Sequence, residues 1–80
     1  MSIHICESEM TSSRTEHRAT ATEDGWHVSW LPGRVLDRNS AITAMTLVEI
    51  YADNPPKHSK WWLAALNFEQ ELGLDERDRP

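Results

Sequence analysis

Apolar and polar positions alternate over residues 14–31, and a helical period takes over between residues 40 and 72. The run Arg14–Thr22 reads RTEHRATAT, and Asp24-Gly25 separates it from Trp26–Leu31, WHVSWL. Asp-Gly between two alternating runs predicts a β-hairpin with a type I′ turn, which needs positive φ at both central residues. Setting Glu23 opposite Trp26 puts Ala21 against Val28 and Ala19 against Trp30. The other face then pairs Thr22 with His27, Thr20 with Ser29 and Arg18 with Leu31. Small alanines against large apolar residues on one face, and polar residues on the other, describe a sheet with one buried side.

Leu31-Pro32-Gly33 ends the strand, because proline has no N–H for a ladder and glycine permits an abrupt turn. Val35 and Leu36 are expected to tuck under this corner. Asp37, Asn39 or Ser40 can cap a helix running from about Ser40 to Ala52. Ala41, Ile42, Ala44, Met45, Leu47, Val48, Ile50 and Tyr51 leave that helix only a thin polar stripe at Thr43, Thr46 and Glu49. A helix apolar on so many sides must be covered on more than one side. A hairpin and one further helix leave part of it over, and a subunit interface is the natural cover. Asp53-Asn54-Pro55-Pro56 stops the helix, and Asn54, with Ser59 as a rival, can cap a second from about Lys57 to Leu72. Gly73 fits the position just past its end, with Leu74 as the apolar contact that follows.

The expected architecture is a small α+β domain in ββαα order: an antiparallel hairpin packed on two helices, with disordered termini. Residues 14–74 form the single domain. Residues 1–13 form a flexible N-terminal tail, although the spacing of Ile3 and Ile5 also permits a short edge strand. Residues 75–80, charged apart from the final proline, form a flexible C-terminal tail.

An 80-residue chain buries only somewhat more than ~60% of its unfolded surface and needs good packing or a partner. Cys6 is its one cysteine, which excludes an internal disulfide and suits a reducing, cytoplasmic setting. No apolar run approaches the ~20 residues of a membrane span. The opening MSIHICESEM has neither the basic nor the apolar region of a signal peptide. The net charge of -5 disfavours a binder that tracks phosphates and favours protein partners.

Candidate chemistry is sparse. His4, Cys6 and Glu7 could meet a divalent ion, but a structural site needs four ligands from ordered segments, so no metal and no cofactor are expected. His27 and Ser29 lie two apart on a polar strand face without an orienting carboxylate. Glu69 and Glu71 read as a solvated helix face, and no Gly-rich phosphate loop exists. No catalytic residue is assigned, and the chain is not expected to be an enzyme. Arg14, Arg18, Arg34 and Arg38 make the hairpin region a candidate nucleic-acid surface, since a two-stranded ribbon can enter a groove. Lys57, His58 and Lys60 beside Trp61-Trp62 add cations next to stacking aromatics. The better-supported surface is an interface of Ile42, Met45, Leu47, Ile50, Tyr51, Trp61 and Trp62. Adjacent tryptophans point about 100° apart, so one helix face cannot bury both, and exposed Trp anchors interfaces.

Residues Trp26–Arg34 (WHVSWLPGR), followed by LDRN at 36–39 and AITAM at 41–45, resemble the core of small uncharacterised proteins of actinobacteria and their phages or mobile elements. The resemblance implies a context, a bacterial accessory protein, and attaches no activity or site residues. The expected function is a non-catalytic protein–protein interaction or regulatory role, in one of two forms: a homodimer packed through the first helix, or a phage-encoded acidic binder of a host protein. The alternative is a DNA-binding accessory protein.

Overall fold

A computed structural model describes residues 3–79, the side chain of Glu76 excepted. Met1, Ser2 and Pro80, at the outer ends of the two expected tails, lie outside the described residues. Four strands come first, β1 (Ile3–Ile5), β2 (Glu9–Ser12), β3 (Arg18–Thr22) and β4 (Gly25–Val28), and two helices follow, α1 (Arg38–Asp53) and α2 (Lys60–Leu72). The strands form one antiparallel meander in the order β1-β2-β3-β4. The fold is α+β with strands before helices, as the pattern predicted. The hairpin has become half of a larger sheet, because residues 3–12, expected in a tail, pair as β1 and β2. Ile5 stands opposite Met10, and Met10 opposite Ala19. Met10 is wholly buried. One methionine on the core face is enough to anchor a strand whose other residues are polar.

The β3–β4 register also differs from expectation. Ala19 pairs with Val28, Ala21 with Trp26 and Thr22 with Gly25, a shift of two residues. The turn is therefore Glu23-Asp24, and neither has positive φ, so it is not type I′. A slip of two leaves every side chain on its predicted face, whereas a slip of one would have inverted the sheet. Ala19, Val28 and Trp26 do lie in the core.

Gly25 serves a different purpose from the one its turn motif suggested. After Val28 the chain turns through Leu31 N–H to Val28 C=O (2.9 Å) and Arg34 N–H to Leu31 C=O (3.3 Å). It then doubles back so that Leu36 and Trp26 exchange backbone bonds of 2.8 and 2.9 Å. This return passes directly over Gly25. A Cβ there would stand 2.8 Å from the Leu36 carbonyl oxygen and 2.8 Å from Val35 Cγ1, at a φ of 140°. Trp30 and Leu31 remain buried although they lie past the strand. Leu36 packs against the core, but Val35, expected under the corner, is 51% exposed.

Asp37 caps α1, its carboxylate accepting from Ser40 N–H at 2.7 Å. That bond holds the Asp37 carboxyl below its ordinary value. Asn54, a candidate cap for α2, instead ends α1 in the left-handed region (φ 49°, ψ 57°), donating to Ile50 and Tyr51 carbonyls. Ser59 caps α2, accepting from Trp62 N–H. The residue before a proline is pushed out of the α region, so Pro55-Pro56 delays the second helix. At its far end Gly73 (φ 71°) and Leu74 donate to the carbonyls of Gln70 and Glu69 at 3.2 and 2.8 Å. These are the paired bonds of a Schellman ending.

The helix α1 lies between the sheet and α2, contacting β2, β3 and β4 on one side and α2 on the other. This arrangement answers its nearly continuous apolar circumference. Ala41, Ala44, Met45, Leu47, Val48 and Ile50 are all at most 2% exposed. The wider sheet supplies the cover that a two-stranded hairpin lacked, so no subunit interface is required for it.

Two substitutions test this account. Met10→Ala is expected to lower stability by about 2–5 kcal/mol in denaturant unfolding; a near-neutral effect would mean that β1 and β2 add nothing to the domain. Gly25→Val is expected to destabilise more than Gly33→Val, although both sites have positive φ, because nothing lies within 4 Å of a Cβ at Gly33. Comparable thermal melts for the two variants would contradict the Leu36 crossing.

Candidate functional site

An open trough of about 570 Å³ lies between the β2–β3 loop and the last turns of α1, lined by residues 13–17 and by Val48, Tyr51 and Ala52. The loop owes its shape to Ser12, whose hydroxyl accepts from the N–H groups of Arg14 (3.2 Å) and Thr15 (3.1 Å). The same hydroxyl donates to Glu49 Oε1 at 2.8 Å. Glu49 is wholly buried, unlike Thr43 and Thr46, with which the sequence placed it on the polar stripe of α1. Arg14 forms an ion pair with Asp53 at the end of α1. His17 Nδ1 lies 3.0 Å from Ser29 Oγ, which also accepts from Arg18 N–H at 3.0 Å. Ser29 therefore meets His17 across the hairpin and not His27, its neighbour on the strand.

Tyr51 joins the trough to a second polar cluster. Its hydroxyl donates to Glu69 Oε2. Arg79 grips the same carboxylate with both arms of its fork, Nε to Oε2 at 2.7 Å and Nη2 to Oε1 at 3.1 Å. The guanidinium carbon sits 5.2 Å from the centre of Trp62 and 5.7 Å from that of Tyr51. Trp30 meets Tyr51 edge-on, with ring centres 6.2 Å apart, and its buried indole N–H has no hydrogen-bond partner among the described residues.

The electrostatics follow from this geometry. The Arg79 hydrogen bonds hold the Glu69 carboxyl below its ordinary value despite burial. Burial first, and then the bond to Glu69, push the Tyr51 phenol upward. A carboxylate kept charged and a phenol kept neutral are poorly matched to proton transfer near neutral pH. The cluster is built to hold a cation. Glu69 was expected on a solvated face, yet it is 6% exposed. The available signal was its spacing, since Trp62, Ala65, Glu69 and Leu72 recur at three and four residues and share one face of α2.

The structure redistributes the other candidates. Met45, Leu47 and Ile50 belong to the core, and Ile42 packs partly against it. Of the proposed interface only Trp61, 48% exposed, has a widely open side chain; Trp62 lies under Arg79. The four candidate nucleic-acid arginines do not converge. Arg14 is paired with Asp53, Arg18 Nη1 lies 4.0 Å from Glu9 Oε2, and Arg34 donates to the Leu72 carbonyl at 3.1 Å. Arg38 opens α1 while Arg14 sits at its other end, about 24 Å away along the helix. The expected C-terminal tail is in part docked: a 3-10 turn at Glu76–Asp78 leads to Arg79. Among the described residues no three His, Cys, Asp or Glu side chains are grouped to hold a metal ion, and no helix is long and apolar enough to cross a membrane. Comparison with models of protein families, with curated proteins and with solved structures finds no match.

Because Glu69 releases its proton more readily in the folded protein than in the unfolded chain, its contribution is fully present above the ordinary 4.5 and is lost as pH falls through the lowered folded value. Glu69→Gln is expected to cost about 1–3 kcal/mol at neutral pH. Its deficit against the natural protein should shrink as the pH of the melt is lowered below that range. A deficit that does not change with pH would separate the effect from the Arg79 ion pair.

Proposed function

We propose that this protein is a non-catalytic protein-binding module whose recognition surface is the trough between residues 13–17 and the end of α1. The trough itself carries the reading. It is concave but open, a shape suited to a segment of another protein more than to an enclosed small molecule. Its rim mixes Arg14, Glu16 and His17 with the apolar floor of Val48 and Ala52. A net charge of -5 favours a partner with basic character. We favour a different protein over a second copy as the partner, because Met45, Leu47 and Ile50, three of the α1 residues through which a dimer would have packed, serve the core. The setting is cytoplasmic, in keeping with the single exposed thiol of Cys6. The resemblance of residues 26–45 supports an accessory role in a bacterium or its phage.

Site-specific photo-cross-linking tests this surface. A photoreactive side chain at Glu16 is expected to capture a discrete partner in cells of the source organism, while the same group at Thr22, on the open sheet face, captures none. Equal capture at both positions, or none at Glu16, would remove the trough from the reading.

A further inference from the structure

Glu69 poses a problem that the trough does not explain. A carboxylate this deeply buried is heavily penalised unless it is paired and hydrogen-bonded, and α2 could have carried an apolar residue at the same position. What surrounds it is a receptor for one chemical group. The carboxylate offers both oxygens to a planar fork, and Trp62 and Tyr51 contribute ring faces within cation–π range. Those are the features that distinguish guanidinium from ammonium: two parallel hydrogen bonds and stacking on aromatics. Tyr51 in turn holds the carboxylate through its hydroxyl.

The occupant arrives on a light tether. Beyond Leu74, which packs on the core, the segment is shaped by bonds within itself: Asp75 N–H to Asp78 Oδ2 at 3.1 Å, Arg77 N–H to Asp75 Oδ1 at 2.8 Å and Asp78 N–H to Asp75 C=O at 3.0 Å. The Arg79 side chain keeps 26% of its surface exposed, so solvent reaches it from outside and it can leave without opening the core. Tyr51 borders both this socket and the trough, which places the two sites side by side.

We propose that the Tyr51–Trp62–Glu69 socket is an arginine-binding site, filled in cis by Arg79 and entered in trans by an arginine of a protein partner. Arg79 then acts as an autoinhibitory plug. Tethering gives it a local concentration in the millimolar range or above, so an incoming arginine must bring further contacts, which the adjoining trough can supply. The inference deepens the protein-binding reading by naming the recognised side chain, and its test uses small probes, so the socket can fail while the trough stands, and the reverse.

The test compares the natural chain with Arg79→Ala in titrations with N-acetyl-arginine amide and N-acetyl-lysine amide, read by tryptophan fluorescence and thermal melting. The expected result is a saturable rise in the melting temperature of Arg79→Ala with the arginine probe. The lysine probe should do markedly less, and the natural chain should need several-fold more arginine probe. Adding Trp62→Leu should abolish the response. If Arg79→Ala does not fold, Arg79→Lys, which keeps the charge without the fork, takes its place with the same expected ranking of probes. No saturable response in the folded variant, equal responses to the two probes, or an equal response from the natural chain would each overturn the proposal.

Discussion

The fold depends on hiding a helix that is apolar almost all the way round. Amphipathic helices need one covering layer, and α1 needs two. The sheet covers one side and α2 the other, and the stability of an 80-residue chain rests on both being present. This explains why the first strands are not dispensable additions. Met10 stands beside Ala19 and is wholly buried in the same core. It also explains the tight crossing of Leu36 over Gly25, which brings the chain back to the sheet before α1 begins.

Two carboxylates on the helices bind the outer segments to this centre. Glu49 on α1 takes the hydroxyl of Ser12, and so fastens the end of β2 and the loop after it. Glu69 on α2 takes Arg79, and so fastens the segment beyond α2. A buried carboxylate left unpaired is heavily penalised, whereas a satisfied one adds little net stability over an apolar residue. What it adds here is direction, since only a donor placed at the right point can satisfy it. The β2–β3 loop and the segment beyond α2 are positioned by polar bonds, while the elements between them are held by packing.

The surface is correspondingly plain. The large exposed apolar side chains Ile5, Val35, Trp61 and Leu63 come from separate elements or separate sides of α2, and singly scattered residues of this kind are ordinary. The four candidate nucleic-acid arginines are dispersed, and three of them are engaged within the chain. The concave ground lies where the β2–β3 loop, the end of α1 and the face of α2 bearing Trp62 and Glu69 meet around Tyr51.

The sequence by itself determined the order of elements, the faces of β3 and β4, and the endings of both helices. Alternation, period and caps are local properties, and an error of two in register left the faces untouched for the same reason. It also signalled that α1 wanted more cover than the hairpin offered. Only the tertiary structure decided what that cover was. Polar strands such as Glu9–Ser12 show no pattern until one residue, Met10, finds its place in a core assembled from elsewhere. Likewise the spacing of Glu69 puts it on the Trp62 face of α2, but only the fold brings Tyr51 from α1 and Arg79 from beyond α2 to that carboxylate, and such convergence has no counterpart in spacing along the sequence.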